Sequence, residues 1–158
     1  MTDSTLVVTI FPGCSEPCHF GMAVTLRKER QGRSPLRTNS DTVLVVDDEE
    51  AVRATIAELF GLLGYAVKEA GDGLEALEIF GRAQGNFRLV ATDFDMPRMD
   101  GVRLTQCLKA ADPDVKVIVL TGDPDLVRKS AIAAGATAVS EKALTLEELV
   151  VLVQSASG

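Results

Sequence analysis

Asp47 and Asp48 stand side by side directly after the apolar run Val43-Leu44-Val45-Val46, and Asp93 follows a second apolar stretch that closes at Thr92. Thr121-Gly122 and Lys142 follow two more such stretches. If those runs are neighbouring parallel strands, carboxylates, a hydroxyl and an ammonium converge on one edge of a sheet. Three carboxylates a few ångströms apart repel and raise one another's pKa. A hard divalent cation removes the conflict, and Mg²⁺ takes one or two carboxylates, waters and phosphate oxygens in an octahedron. A carboxylate against such an ion can attack phosphorus while the cation and a lysine neutralise the equatorial oxygens. The threonine hydroxyl can then hydrogen-bond a phosphoryl oxygen and draw its loop inward. Taken singly, each residue could be a helix cap, a turn or a solvated charge. All of them after the proper strands, in order, argue for a site.

The elements that must position these groups are legible from residue 41 onward. Val43–Val46 is a continuous apolar run rich in β-branched valine, the mark of a strand covered on both faces. Val52, Ile56, Leu59, Phe60 and Leu63 recur at helical spacing, and Gly64 stops the helix. The pattern then predicts strands at Ala66–Ala70, Phe87–Thr92, Val115–Leu120 and Thr137–Ser140. It predicts helices at Leu74–Arg82, at Val102–Ala111 burying Leu104, Cys107 and Leu108, and at Pro124–Ala134 before Gly135. Thr145-Leu146-Glu147-Glu148 is a capping box opening a last helix that should bury Leu146, Leu149, Val150 and Val153. Five β-then-α units with short connections predict an α/β fold, a five-stranded parallel sheet with helices on both faces. Ligands on such sheets bind at the carboxyl ends of the strands.

Composition narrows the classes. Of 158 residues, 46% are hydrophobic and 25% charged, as in a globular domain. Residues 1–40 carry five Lys/Arg (Arg27, Lys28, Arg30, Arg33, Arg37) against three acids, whereas the rest holds 11 basic and 20 acidic residues, a net of −9. So acidic a domain is not expected to bind nucleic acid directly, because duplex affinity comes from neutralising phosphates. Residues 1–40 lack periodicity, contain Pro12, Pro17 and Pro35, and read as a flexible, disordered arm, with Met22 an alternative start. Cys14, Cys18 and His19 fall short of a zinc or haem motif, and the three cysteines read as free thiols. No run approaches the ~20 apolar residues of a membrane span, and the N-terminus lacks a basic signal-peptide start. Neither membrane insertion nor export is expected, and a cytoplasmic location is.

Residues 41–158 resemble the response-regulator receiver domain of two-component signalling, a flavodoxin-like (βα)5 fold. The likeness rests on Val43-Leu44-Val45-Val46-Asp47-Asp48-Glu49, on Asp93-Phe94-Asp95-Met96-Pro97-Arg98-Met99-Asp100-Gly101, on Leu120-Thr121-Gly122, and on Gly135-Ala136 with Lys142. It implies a Mg²⁺-dependent phosphoacceptor in a phosphorelay, phosphorylated on Asp93 by a sensor histidine kinase or a histidine phosphotransfer protein. Asp48 would ligate Mg²⁺ directly, Asp47 largely through water, and the backbone carbonyl of Asp95 would complete the shell with Asp93. Thr121 and Lys142 would hold the phosphoryl group. Such a chain is no enzyme, though it assists its own phosphorylation and slow autodephosphorylation. It stands alone or is part of a larger regulator or hybrid kinase.

Two positions depart from the family's habit. Ala143 follows Lys142 where proline is common, so that peptide is either trans or strained. Val139 occupies the place of an aromatic that usually turns inward on activation, so output must come from backbone shift or packing. Exposed apolar residues of the fourth helix, fifth strand and fifth helix, Val139, Val151 and Leu152 among them, are then the expected face for self-association or a downstream protein target. These departures keep a pseudo-receiver, a binding module without the chemistry, as one alternative. Another is a haloacid-dehalogenase-like phosphatase, for which Asp93-Phe94-Asp95 has the spacing but the motif order along the chain is inverted.

Overall fold

The structure, a computed structural model, describes residues 42–157. They belong to one compact unit, Thr38–Gly158. The proposed arm at 1–40, with Cys14, Cys18, His19 and Met22, lies outside the described residues.

Ten elements alternate: β1 (Thr42–Val46), α1 (Glu50–Leu62), β2 (Ala66–Ala70), α2 (Gly73–Arg82), β3 (Leu89–Asp93), α3 (Gly101–Ala111), β4 (Val117–Thr121), α4 (Pro124–Ala133), β5 (Ala138–Glu141) and α5 (Leu146–Ser157). The strands form one parallel sheet in the order β2-β1-β3-β4-β5. The chain steps from β1 outward to β2, then returns past β1 to β3. With right-handed crossovers, that reversal sends α1 and α2 to opposite faces. Alternate residues of each strand feed two cores. Val43, Val45, Leu89, Ala91, Ile118 and Leu120 pack under α1 and α5 with Ile56, Phe60, Leu149 and Val153. Leu44, Val46, Val90, Val117 and Val119 pack under α2, α3 and α4 with Phe80, Leu104, Leu108 and Val127. Burial on both faces is why the central strands are unbroken apolar runs. The edge strand β2, with Lys68 and Glu69 exposed, is not.

Several boundaries moved, each for a local reason. Phe87 precedes β3 because its ring stacks on Phe80, with centroids 5.8 Å apart, while its N–H donates to Gly85 O. Strands β3 and β4 run one residue further than periodicity indicated, so Asp93 and Thr121 are the last ladder residues rather than the first loop residues. The capping box forms as expected: Thr145 N–H donates to Glu148 Oε2 at 2.8 Å and Glu148 N–H to Thr145 Oγ1 at 3.3 Å. The buried stripe of α5, however, is Leu149, Val153 and Ala156. Leu146 in the first turn is exposed and Val150 is half-buried. Cys107 is likewise only half-buried on α3. No peptide among the described residues is cis, so Lys142–Ala143 is trans.

Candidate functional site

The site is built at the reversal point between β1 and β3, where parallel α/β sheets hold ligands. Val46 pairs in register with Thr92 and with Ala70, so the chain leaves β1 at Asp47 beside the end of β3 at Asp93. Asp47 is fully buried. Its N–H donates to Ala70 O at 3.2 Å, and its Oδ1 accepts the Glu49 N–H at 2.9 Å. Neither Asp47 nor Asp48 is the N-cap of α1; that position is Glu49, which makes no side-chain cap.

Asp47, Asp48 and Asp93 each offer a carboxylate oxygen within 4.8 Å of the others. Lys142 enters from the end of β5, its N–H bonded to Thr121 O at 2.9 Å, and its Nζ lies 2.9 Å from Asp47 Oδ2 and 3.0 Å from Asp93 Oδ2. The Asp47 contact is an ion pair made to a carboxylate that is fully buried. Burial pushes the Asp93 pKa up and outweighs the lysine beside it, with Asp47 adding to the rise. Burial pulls on Lys142 in the opposite sense, but its contacts with the two aspartates prevail and its pKa rises, so it stays an ammonium.

One ammonium among three carboxylates leaves net negative charge in an oxygen-only donor set. That composition fits Mg²⁺. Thr121, buried on the neighbouring strand, has its Oγ1 accepting the Asp123 N–H at 3.2 Å, and Asp123 in turn caps α4 through Leu126 N–H at 3.2 Å. Asp95 is exposed in the loop after β3, and its side chain is not one of the three clustered carboxylates. The expectation for it concerned the backbone carbonyl alone.

Sequence reasoning missed two groups. Arg53 donates from Nη1 to Asp47 O at 2.7 Å and pairs through Nε with Glu69 at 3.4 Å, pinning the end of β1. It sits beside Val52 on the inward edge of α1, but its partners depend on the register of β2. The other is Arg98, paired with Asp72.

The response regulator receiver domain matches residues 43–154, so the chain belongs to that family, whose domains act in phosphorelay signalling. The sensor kinase CckA of Brucella abortus is 37% identical over 99 residues, covering 63% of this chain and 10% of that protein. Response regulator MprA of Mycobacterium leprae is 34% identical over 114 residues, 72% of this chain and 49% of that one. Sporulation initiation phosphotransferase F of Bacillus subtilis is 32% identical over 93 residues, 58% of this chain and 73% of that one. The chain thus spans half or less of the first two relatives. Among solved structures, a receiver domain protein of Clostridium thermocellum superposes with a TM-score of 0.68 at 31% identity, covering 73% of this chain and 92% of that one. Response regulator TrrA of Thermotoga maritima, in complex with Mg²⁺-BeF, gives 0.66 at 30% identity over 73% and 97%. Receiver domains are phosphoacceptors rather than classical enzymes, and the family holds Mg²⁺ at its acidic pocket. No helix among the described residues is long and apolar enough to cross a membrane.

Mg²⁺ binding should read out directly on stability. At ten times its Kd, the ion adds about 1.4 kcal/mol by mass action. Asp48→Asn is expected to lose most of that gain while melting slightly higher than wild type in EDTA. The apo rise is small because Asp48 is exposed and water screens its repulsion. Thermal melts in EDTA and in Mg²⁺ check both halves; a lower apo midpoint would make Asp48 a structural residue.

Proposed function

We propose that Asp93 is the phosphoacceptor, that Asp47, Asp48, Asp93 and the Asp95 carbonyl hold Mg²⁺, and that Lys142 and Thr121 hold the transferred group. The observation that carries this reading is the Lys142 ammonium bridging the buried Asp47 and Asp93 at 2.9 and 3.0 Å. In phosphoryl transfer the Asp93 carboxylate attacks phosphorus, a P–O bond forms, and the P–N bond of a donor phosphohistidine breaks. Lys142 orients Asp93 beforehand and afterwards can pair with a phosphoryl oxygen. Mg²⁺ supplies charge neutralisation to those oxygens. Thr121 donates its hydroxyl hydrogen to a phosphoryl oxygen while its Oγ1 still accepts the Asp123 N–H, so the move of Thr121 toward the phosphoryl group draws Asp123, the cap of α4, with it and carries the signal to that helix. The chain thereby assists its own phosphorylation, and water slowly reverses it. The donor we assign in the cell is a cytoplasmic sensor histidine kinase or histidine phosphotransfer protein, and a small acyl phosphate can stand in for it. The test is intact mass with acetyl phosphate: one phosphoryl per chain with Mg²⁺ and none in EDTA. Uptake that ignores Mg²⁺ would refute the metal's part.

The output face we assign to α4, β5 and α5 needs amendment in one respect. Val139 is buried among Val119, Val127 and Ala131, and Leu152 is half-buried against the core beneath α5. The exposed large apolar residues there are Val151 at 65% and Leu146 on α5, with Leu126 and Ile132 on α4. Val151→Glu is therefore expected to weaken phosphorylation-dependent self-association or docking, and a contact favoured by about 1.4 kcal/mol in one state shifts the equilibrium tenfold. Sedimentation of both proteins in both states decides it. Equal association throughout would remove Val151 from the interface.

A further inference from the structure

The loop joining β3 to α3, residues 94–100, is fastened at two places. At its base the Gly101 N–H donates to Phe94 O at 2.8 Å. At its far end two consecutive residues, Arg98 and Met99, grip two consecutive residues at the start of α2, Asp72 and Gly73. Met99 is buried against Gly73 so closely that a Cβ there would lie 2.9 Å from three Met99 atoms. The Arg98 guanidinium pairs with Asp72 Oδ2, while Asp72 Oδ1 caps α2 by accepting from Leu74 N–H at 2.8 Å and Glu75 N–H at 3.0 Å.

Three features separate the ion pair from plain packing. Arg98 holds φ at 69°, a left-handed conformation that L residues adopt at a cost and glycine does not. Its side chain remains 63% exposed, so burial does not offset that cost. Asp72 could cap α2 with one oxygen alone. What the pair adds is a tether across 26 residues of chain that fixes the tip of the loop bearing Asp95.

We propose that the Arg98–Asp72 ion pair is a positioning clasp for the metal site: it holds the loop so that Asp95 presents its carbonyl, and Mg²⁺ affinity depends on it. The proposal rests on the reading of Asp95 as a metal ligand. Arg98 is a positioning residue and touches neither metal nor phosphoryl group.

Two variants of the full chain separate this role from a structural one. Arg98→Gly removes the clasp and relaxes the backbone, and Asp72→Asn removes the charge while leaving an oxygen to cap α2. Mg²⁺ Kd by calorimetry and the melting midpoint in EDTA are measured for wild type, both variants and the double variant. The expected result is Mg²⁺ binding weaker by about fivefold in each single variant, near the upper end for a solvent-facing ion pair. The double variant should show no further loss, because both changes break one contact. The apo midpoint of Arg98→Gly should be unchanged or raised. Unchanged Mg²⁺ Kd in the single variants, losses that add in the double variant, or lowered apo midpoints with Kd intact would each overturn the clasp. Failure of wild type itself to bind Mg²⁺ would instead overturn the metal-site reading beneath it.

Discussion

Asp93→Asn is expected to take up no phosphoryl group from acetyl phosphate and Mg²⁺ under conditions in which wild type gains one per chain. Asn keeps the shape and an oxygen for Lys142 but has no carboxylate to attack phosphorus. The same variant should melt higher than wild type in EDTA at neutral pH. Burial raises the Asp93 pKa in the folded chain, so the ionised carboxylate disfavours folding there relative to its unfolded value. The stability associated with protonated Asp93 is complete below the ordinary carboxylate pKa and declines as pH rises through the higher folded value. The advantage of the Asn variant should accordingly shrink as pH falls toward the ordinary carboxylate value of 3.8. Lys142 retains Asp47 as partner in the variant, which keeps the removal from stranding its charge. Intact mass and melts across pH check the two halves separately. Full labelling of the variant would assign the nucleophile elsewhere, and a lower apo midpoint would show that the Lys142 contact outweighs the burial of Asp93.

The second large effect is expected at Gly101→Ala. A Cβ there would lie 2.2 Å from Asp93 O, with Asp93 C and Phe94 Cα each at 3.1 Å. All three are backbone atoms, so no side chain can swing away. Either the start of α3 lifts off the end of β3 or Asp93 is displaced. Overpacking of this kind costs about 3 kcal/mol, and at roughly 4 °C per kcal/mol for a domain of this size the midpoint should fall by about 12 °C. Phosphorylation should slow as well, because a misplacement of about 1 Å can cost about 10²-fold in rate. Melting curves and phosphorylation time courses measure both; wild-type values in either would mean the loop absorbs the methyl group. Gly101 thus belongs to the site through its missing side chain, holding the N-terminus of α3 against the strand that ends in Asp93.

Much of this was legible in one dimension. The unbroken apolar runs declared strands covered on both faces, and the helical stripe from Val52 to Leu63 declared α1. The Thr145–Glu148 box placed the start of α5, because capping is a contact within one turn. Asp47, Asp48, Asp93, Thr121 and Lys142 could be assigned to strand ends from the apolar runs that precede them, although β3 and β4 each continue one residue further, through Asp93 and Thr121. What periodicity could not show was which partner each polar group meets. The pairing of Lys142 with both Asp47 and Asp93, the hold of Arg53 on Asp47 O, and the Arg98–Asp72 clasp all depend on strand order and register. Register is settled by how the whole sheet buries its faces, not by any one segment. The same holds for the errors. Leu146 looked inward on a helical wheel, but it lies in the first turn of α5, which the sheet does not cover. Val139 looked available for a surface patch, yet its strand sits where α4 closes over it, so only the assembled layers decided that it is core.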